Sequence, residues 1–180
     1  MLLAAERSFL AIIDIQERLL PVMADPRQVL WGAAVLMRAA TRLGVPMVVT
    51  EQYPKGLGPT QADLKPFISE GALFVKQHFA STGEAGFLER VGGFNRKQAV
   101  LAGVESHICV TQTALGLKAA GYEVFVVLDA CSSRHQASLD TARQRLLQNG
   151  VDIVTIEMAL FEWMGQAGTP EFKELSALIK

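Results

Sequence analysis

Hydrophobic residues fall along this chain in two alternating rhythms. The first consists of short, nearly unbroken apolar runs: FLAII (Phe9–Ile13), VPMVVT (Val45–Thr50), ALFV (Ala72–Val75), AVLA (Ala99–Ala102), EVFVVL (Glu123–Leu128) and VDIVTI (Val151–Ile156). Runs of this length without in-and-out alternation predict strands covered on both faces. The second rhythm is helical. Gln28–Leu43 places Val29, Ala33, Leu36, Ala40 and Leu43 along one side, opening near Asp25-Pro26 and stopping at Gly44. A short helix is expected over Glu84–Val91, before Gly92-Gly93. Another begins after Gly103 with Ser106 as N-cap, carries Cys109, Val110, Thr113, Ala114 and Leu117, and reaches about Ala120. Gln136–Gln148 is a further helix, and the chain from Glu157 onward reads as helical with a break from Gly165 to Pro170. Strands that alternate with helices imply right-handed crossovers and a parallel sheet. The expected fold is therefore α/β: a three-layer, doubly wound, Rossmann-like arrangement of about six parallel strands.

Composition narrows the class. A chain of 180 residues, half of them hydrophobic, is expected to form a single packed domain over residues 1–180. A net charge of −1 with scattered arginines argues against a nucleic-acid partner. The N-terminal run MLLAAERSFLAIID contains Glu6 and Arg7, so it matches neither a signal peptide nor a membrane span. Cys109 and Cys131 are the only cysteines, too few for a disulfide framework or a cysteine-rich zinc site, and a cytoplasmic setting follows as the default.

Three reactive side chains stand directly after predicted strands or on a strand-to-helix turn. Asp14 follows the first strand, Lys76 the third, and Cys109 lies in the first helical turn after the fourth. In an open parallel sheet the carboxyl ends of the strands are where ligands bind. A carboxylate, an ammonium and a thiol meeting there could act as base, electrostatic partner and nucleophile. Lys76 and the helix dipole are expected to lower the thiol pKa, while the amides of Glu105 and Cys109 are natural donors to an oxyanion. Each residue also has a structural explanation: Asp14 as a turn cap, Lys76 as a solvated lysine, Cys109 as a small buried hydrophobe. With strand order 3-2-1-4-5-6, the Lys76 strand would lie roughly 9–10 Å from the Asp14 strand, a gap that a side chain must cross. The segment Glu51–Thr60, rich in Gly and Pro, is expected to be a loop over the same edge.

The segments AIIDIQE, FVKQHFAS, GVESHICVTQTAL and GYEVFVVLDACSSR resemble the isochorismatase-like cysteine hydrolases, a family that includes nicotinamidases. TEQYPKGLGPT and the tail from TIEMALFEWMG to PEFKELSALIK are similar to its isochorismatase-domain-containing subgroup, so the resemblance extends over nearly the whole chain. It implies a catalytic triad of Asp14, Lys76 and Cys109, a cis peptide at Val104-Glu105, and assembly into a homo-oligomer, a dimer or larger. The Glu51–Thr60 loop lacks the His and Asp that hold a metal in nicotinamidases, and His78, His107 and His135 show no ligand spacing, so neither metal nor other cofactor is expected. Where the family motif often reads Lys-x-x-Phe-Ser, Ala80 follows Phe79 here and Ser81 comes one place later.

The function expected is hydrolysis of a small amide or related carbonyl compound through a thioester on Cys109, in a pocket walled by Tyr53, Phe79, His107 and Ile108. The alternatives are a non-catalytic interaction protein that keeps the triad as scaffolding, a nicotinamidase or isochorismatase proper, and redox sensing through Cys109 and Cys131.

Overall fold

The computed structural model describes residues 1–180 throughout. Six strands, β1 (Ser8–Ile13), β2 (Met47–Gln52), β3 (Leu73–Lys76), β4 (Gln98–Val104), β5 (Glu123–Ser132) and β6 (Asp152–Val154), form one parallel sheet in the order β3-β2-β1-β4-β5-β6. Helices α1 (Pro26–Leu43), α2 (Pro54–Leu57), α3 (Phe87–Gly92), α4 (Thr111–Ala119), α5 (Gln136–Gln148), α6 (Ile156–Met164) and α7 (Pro170–Ser176) connect or flank them. This is the three-layer α/β fold that the two rhythms imply.

The unbroken apolar run of β1 has a direct cause. Leu10 and Ile12 point into a core shared with α1, α6 and α7, whereas Phe9, Ala11 and Ile13 point into a second core with α3, α4 and α5. Both faces are dry, so every position from Phe9 to Ile13 is apolar. At the ends of α1, Asp25 accepts a hydrogen bond from the Gln28 amide, Pro26 occupies the first turn, and Gly44 closes the helix at φ 68°. No helix is long and apolar enough to cross a membrane.

Strand ends depart from the expectation where polar residues continue a buried strand. β2 runs on through Glu51 and Gln52, both buried. The Glu51 carboxylate accepts from the Thr60 amide and hydroxyl at 2.6 and 2.8 Å, which lets a charged residue sit inside the sheet and pins the loop that follows. The first part of that loop is the short helix α2. β4 does not break at Gly103 but continues to Val104, with Gly103 at φ 127° opposite Ile13. β5 runs past Leu128 through Asp129 to Ser132. Asp129 lies where the pairing with β4 shifts register, between Val126 opposite Leu101 and Cys131 opposite Gly103, and its carboxylate accepts the Ile156 amide at 2.8 Å.

Strand order reverses at β1, which pairs with β2 on one side and β4 on the other. The crevice over the carboxyl ends of β1 and β4 is the topological switch point of the sheet.

Candidate active site

Asp14 leaves β1 in the left-handed region, at φ 52°, a conformation that aspartate tolerates better than most side chains. The turn, closed by a Gln16 amide to Asp14 carbonyl bond of 2.8 Å, leaves the carboxylate fully buried over the sheet edge. Thr50 of β2 donates its hydroxyl to Asp14 Oδ1 at 2.6 Å. Lys76 Nζ donates to Oδ2 at 2.7 Å, with both side chains fully excluded from solvent.

The gap between β3 and β1 is closed by register. Lys76 pairs with Gln52 at the end of β2, so its long side chain passes over that strand's last residue to reach the next one. Gln52 Oε1 accepts from Nζ at 2.7 Å, and the carbonyls of His78 and Phe79 lie at 3.2 and 3.3 Å. Gln52 is itself held: its backbone N–H donates to Gln16 Oε1 at 2.8 Å and its Nε2 to the Gln77 carbonyl at 2.7 Å. Thr50, Gln52 and Gln16 escaped the sequence reading. The signal available was the polar trio Thr50-Glu51-Gln52, which continues an apolar run without a turn residue.

Cys109 sits in a wide π-helical turn, Ser106–Val110, that leads into α4. Ser106 does not cap this turn; its hydroxyl donates to the Ser132 carbonyl at 2.8 Å and ties the turn to β5. The Val104-Glu105 bond is cis. The sulfur opens onto a cavity of about 300 Å³ lined by Leu19, Gln52, Leu57, Phe79, Glu105, Ile108, Cys109 and Arg134.

The expected wall residues divide. Phe79 and Ile108 line the cavity with Cys109, whereas Tyr53 and His107 do not. Tyr53 turns outward at φ 38° and is about half exposed. His107 hydrogen-bonds through Nδ1 to Ser133 Oγ at 2.9 Å and faces neighbouring grooves instead. Ser81 faces α4, where its amide and hydroxyl meet the Thr113 hydroxyl at 2.9 and 3.2 Å.

The thiol departs from the expectation of a lowered pKa. Burial pushes Cys109 up to about 12, and the negative charge of Asp14 adds to this; Lys76 and the Glu105 amide pull it down by less. Desolvation of the anion outweighs the cation, because the Lys76 charge is already matched by Asp14. The resting sulfur is therefore a thiol, with Asp14 near enough to take its proton. Cys131, inside β5, is likewise pushed up to about 12 by burial. Alkylation of Cys109 by iodoacetamide, followed by intact-mass spectrometry, is expected to accelerate steadily from pH 7 to 10. A plateau below pH 8.5 would show an ionised sulfur and contradict this site.

A family model for the isochorismatase domain matches residues 8–158. The chain is 37% identical over 175 residues to isochorismatase domain-containing protein 2A of Mus musculus, which covers 97% of this chain and 84% of that one. A structure described as MAR1 ribonuclease from Caenorhabditis elegans is 32% identical and superposes with a TM-score of 0.93 over 99% of this chain and 92% of that one. YcaC of Escherichia coli, described as an octameric hydrolase of unknown specificity, shares the fold at 22% identity, with a TM-score of 0.93 over 99% and 90% of the two chains. With the family model spanning most of its length, and a relative at 37% identity along nearly all of it, this chain belongs to the isochorismatase family.

Proposed function

We propose that this isochorismatase-family chain works as a single-domain cysteine hydrolase, cleaving a small amide or related carbonyl compound. Membership of the family supports hydrolase-type chemistry. The observation that carries the reading is the dry Asp14–Lys76 pair, 2.7 Å apart, beside a thiol that opens onto a small cavity.

In this mechanism the Cys109 sulfur attacks the substrate carbonyl carbon as its proton passes to Asp14. The negative charge on the carbonyl oxygen is received by the amides of Glu105 and Cys109. The carbon–nitrogen bond breaks, Asp14 gives its proton to the leaving amine, and a thioester remains on Cys109. Water then adds to the thioester with Asp14 again taking a proton, the carbon–sulfur bond breaks, and Asp14 returns the proton to the sulfur. Lys76 holds Asp14 in place and offsets its charge. A thiol that ionises only as it attacks is compatible with this sequence, because the base is adjacent. The exposed apolar residues Leu73 and Val75 on edge strand β3 support a homo-oligomer as part of the same reading.

Two other readings have an observation behind them. The raised pKa of Cys109 favours a non-catalytic protein that keeps these residues as scaffold. The C. elegans relative is described as a ribonuclease, but here five of the eight cavity residues are hydrophobic and Arg134 is the one cation among them, which favours a small substrate over a polyanion.

A panel of small amides, esters and a model RNA, assayed with the parent and with Cys109→Ala, separates the three. The expected result is turnover of an amide or ester that falls at least about a thousandfold in Cys109→Ala, with an acyl adduct on the parent seen by mass spectrometry. Amide turnover that survives in Cys109→Ala would remove the nucleophile assignment; no turnover of any compound would leave the scaffold reading.

A further inference from the structure

Lys76 is an obvious cation near Cys109, yet it has nothing left to offer a ligand. Its ammonium carries three N–H donors and is surrounded by four acceptors: Asp14 Oδ2, Gln52 Oε1 and the carbonyls of His78 and Phe79. It is also fully buried. Any anionic group that enters the cavity must look elsewhere for its partner.

Arg134 is the one cation among the residues that line the cavity. It lies two residues beyond β5, and its side chain is 56% exposed, while the Glu105 side chain beneath it is 5% exposed. One edge of the guanidinium is anchored: Nε lies 3.3 Å from Glu105 Oε1, and the Arg134 backbone N–H donates to Glu105 Oε2 at 3.3 Å. Both carboxylate oxygens of Glu105 are thus engaged by Arg134 itself. The two Nη groups have no hydrogen-bond partner in the protein. A guanidinium presents its N–H groups as a planar fork that matches a carboxylate, and one held by its Nε edge is already oriented. Arg134 also faces the adjoining groove of Glu105, His107, Ile108 and His135, so the fork stands at the junction of that groove with the Cys109 cavity. The rest of the cavity wall is mainly apolar: Leu19, Leu57, Phe79 and Ile108.

We propose that Arg134 is a specificity-determining residue that takes a carboxylate of the substrate on its free Nη edge, so that the preferred substrates are small amides or esters of carboxylate-bearing acids with an apolar spacer. This rests on the hydrolase reading for the reacting group, but the anion site itself does not require turnover. Glu105 has the role of positioning residue, since it holds the fork through Nε.

The test is calorimetric binding of succinamate and of succinamide, its neutral diamide counterpart, to the Cys109→Ala protein. Succinamate is expected to bind at least tenfold more tightly, in keeping with a charge-assisted pair of hydrogen bonds. Adding Arg134→Ala should abolish that preference and leave succinamide affinity unchanged, while Arg134→Lys, which keeps the charge but not the fork, should restore part of it. Equal affinities, no succinamate binding at millimolar concentration, or equal losses for both ligands in Arg134→Ala would overturn the proposal. The last pattern, with a lowered melting temperature, identifies the Glu105 pair as purely structural. Preference without turnover in the parent leaves the anion site standing and removes the hydrolase reading; Cys109-dependent turnover without preference does the reverse.

Discussion

Replacing Lys76 with methionine is expected to destabilise the fold by about 3–5 kcal/mol, the usual cost of stranding one member of a buried ion pair. Methionine matches the length of the lysine stem, so packing is largely preserved and the effect reports charge. What remains is Asp14, fully buried, with the Thr50 hydroxyl donating to Oδ1 but no cation beside it. Two carbonyls and the Gln52 oxygen lose their donor as well. The companion variant is Asp14→Asn with Lys76→Met, which removes both charges; it should recover a large part of the loss, because neither ion is then left uncompensated. Urea denaturation of the parent, both single variants and the double variant measures this directly. A loss below about 1 kcal/mol for Lys76→Met would mean that the pair is not ionic, since exposed pairs alone have so small an effect. Under the mechanism proposed above, all three variants also lose turnover, so stability and activity separate only in the double variant.

The second large effect is expected at Gly103. An alanine Cβ there would stand 2.1 Å from the Ile13 carbonyl oxygen and 2.8 Å from the Ile13 carbonyl carbon and nitrogen, at a φ of 127° that L side chains rarely adopt. The obstruction is backbone on the neighbouring central strand, not the end of a flexible side chain. Relief requires β1 and β4 to move apart, and Ile13 is joined directly to Asp14. Gly103→Ala is therefore expected to cost more than about 4 kcal/mol, at the extreme of single substitutions, and to appear as insoluble protein or a sharply lowered melting temperature. Gly44→Ala serves as the control: it shares a positive φ, 68°, but a Cβ there meets nothing within 4 Å, so only its backbone strain is felt. Equal effects at the two positions would show that the close approach of β1 and β4 is unimportant.

The two positions illustrate what can be read from a linear chain. Lys76 is visible as a charge at the end of an apolar run, but the acceptors that saturate it come from β1, β2 and the turn after β3. Gly103 looks like a turn residue because glycine after an apolar run usually marks one. In the sheet it is an interior strand position, where the missing side chain makes room for a neighbouring backbone. Glu51 and Gln52 look like the start of a loop for a similar reason: polar residues inside a buried strand are intelligible only once Thr60, Lys76 and Gln16 are in place around them.

Sequence by itself determined the alternation of strand and helix, the doubly wound α/β class, the family, and the placing of Asp14, Lys76 and the Cys109 turn at strand ends. The alternation and the placing of reactive residues at strand ends follow from local periodicity and chain order, and the family from the resemblance of its motifs; none of these needs a tertiary partner to be read. Tertiary structure alone decided that Lys76 is spent on Asp14 and Gln52, that His107 and Tyr53 face away while Arg134 enters the wall, and that burial keeps Cys109 a thiol. Those outcomes depend on desolvation and on hydrogen-bond partners drawn from different strands, quantities set by the surroundings of a side chain and not by its place along the chain.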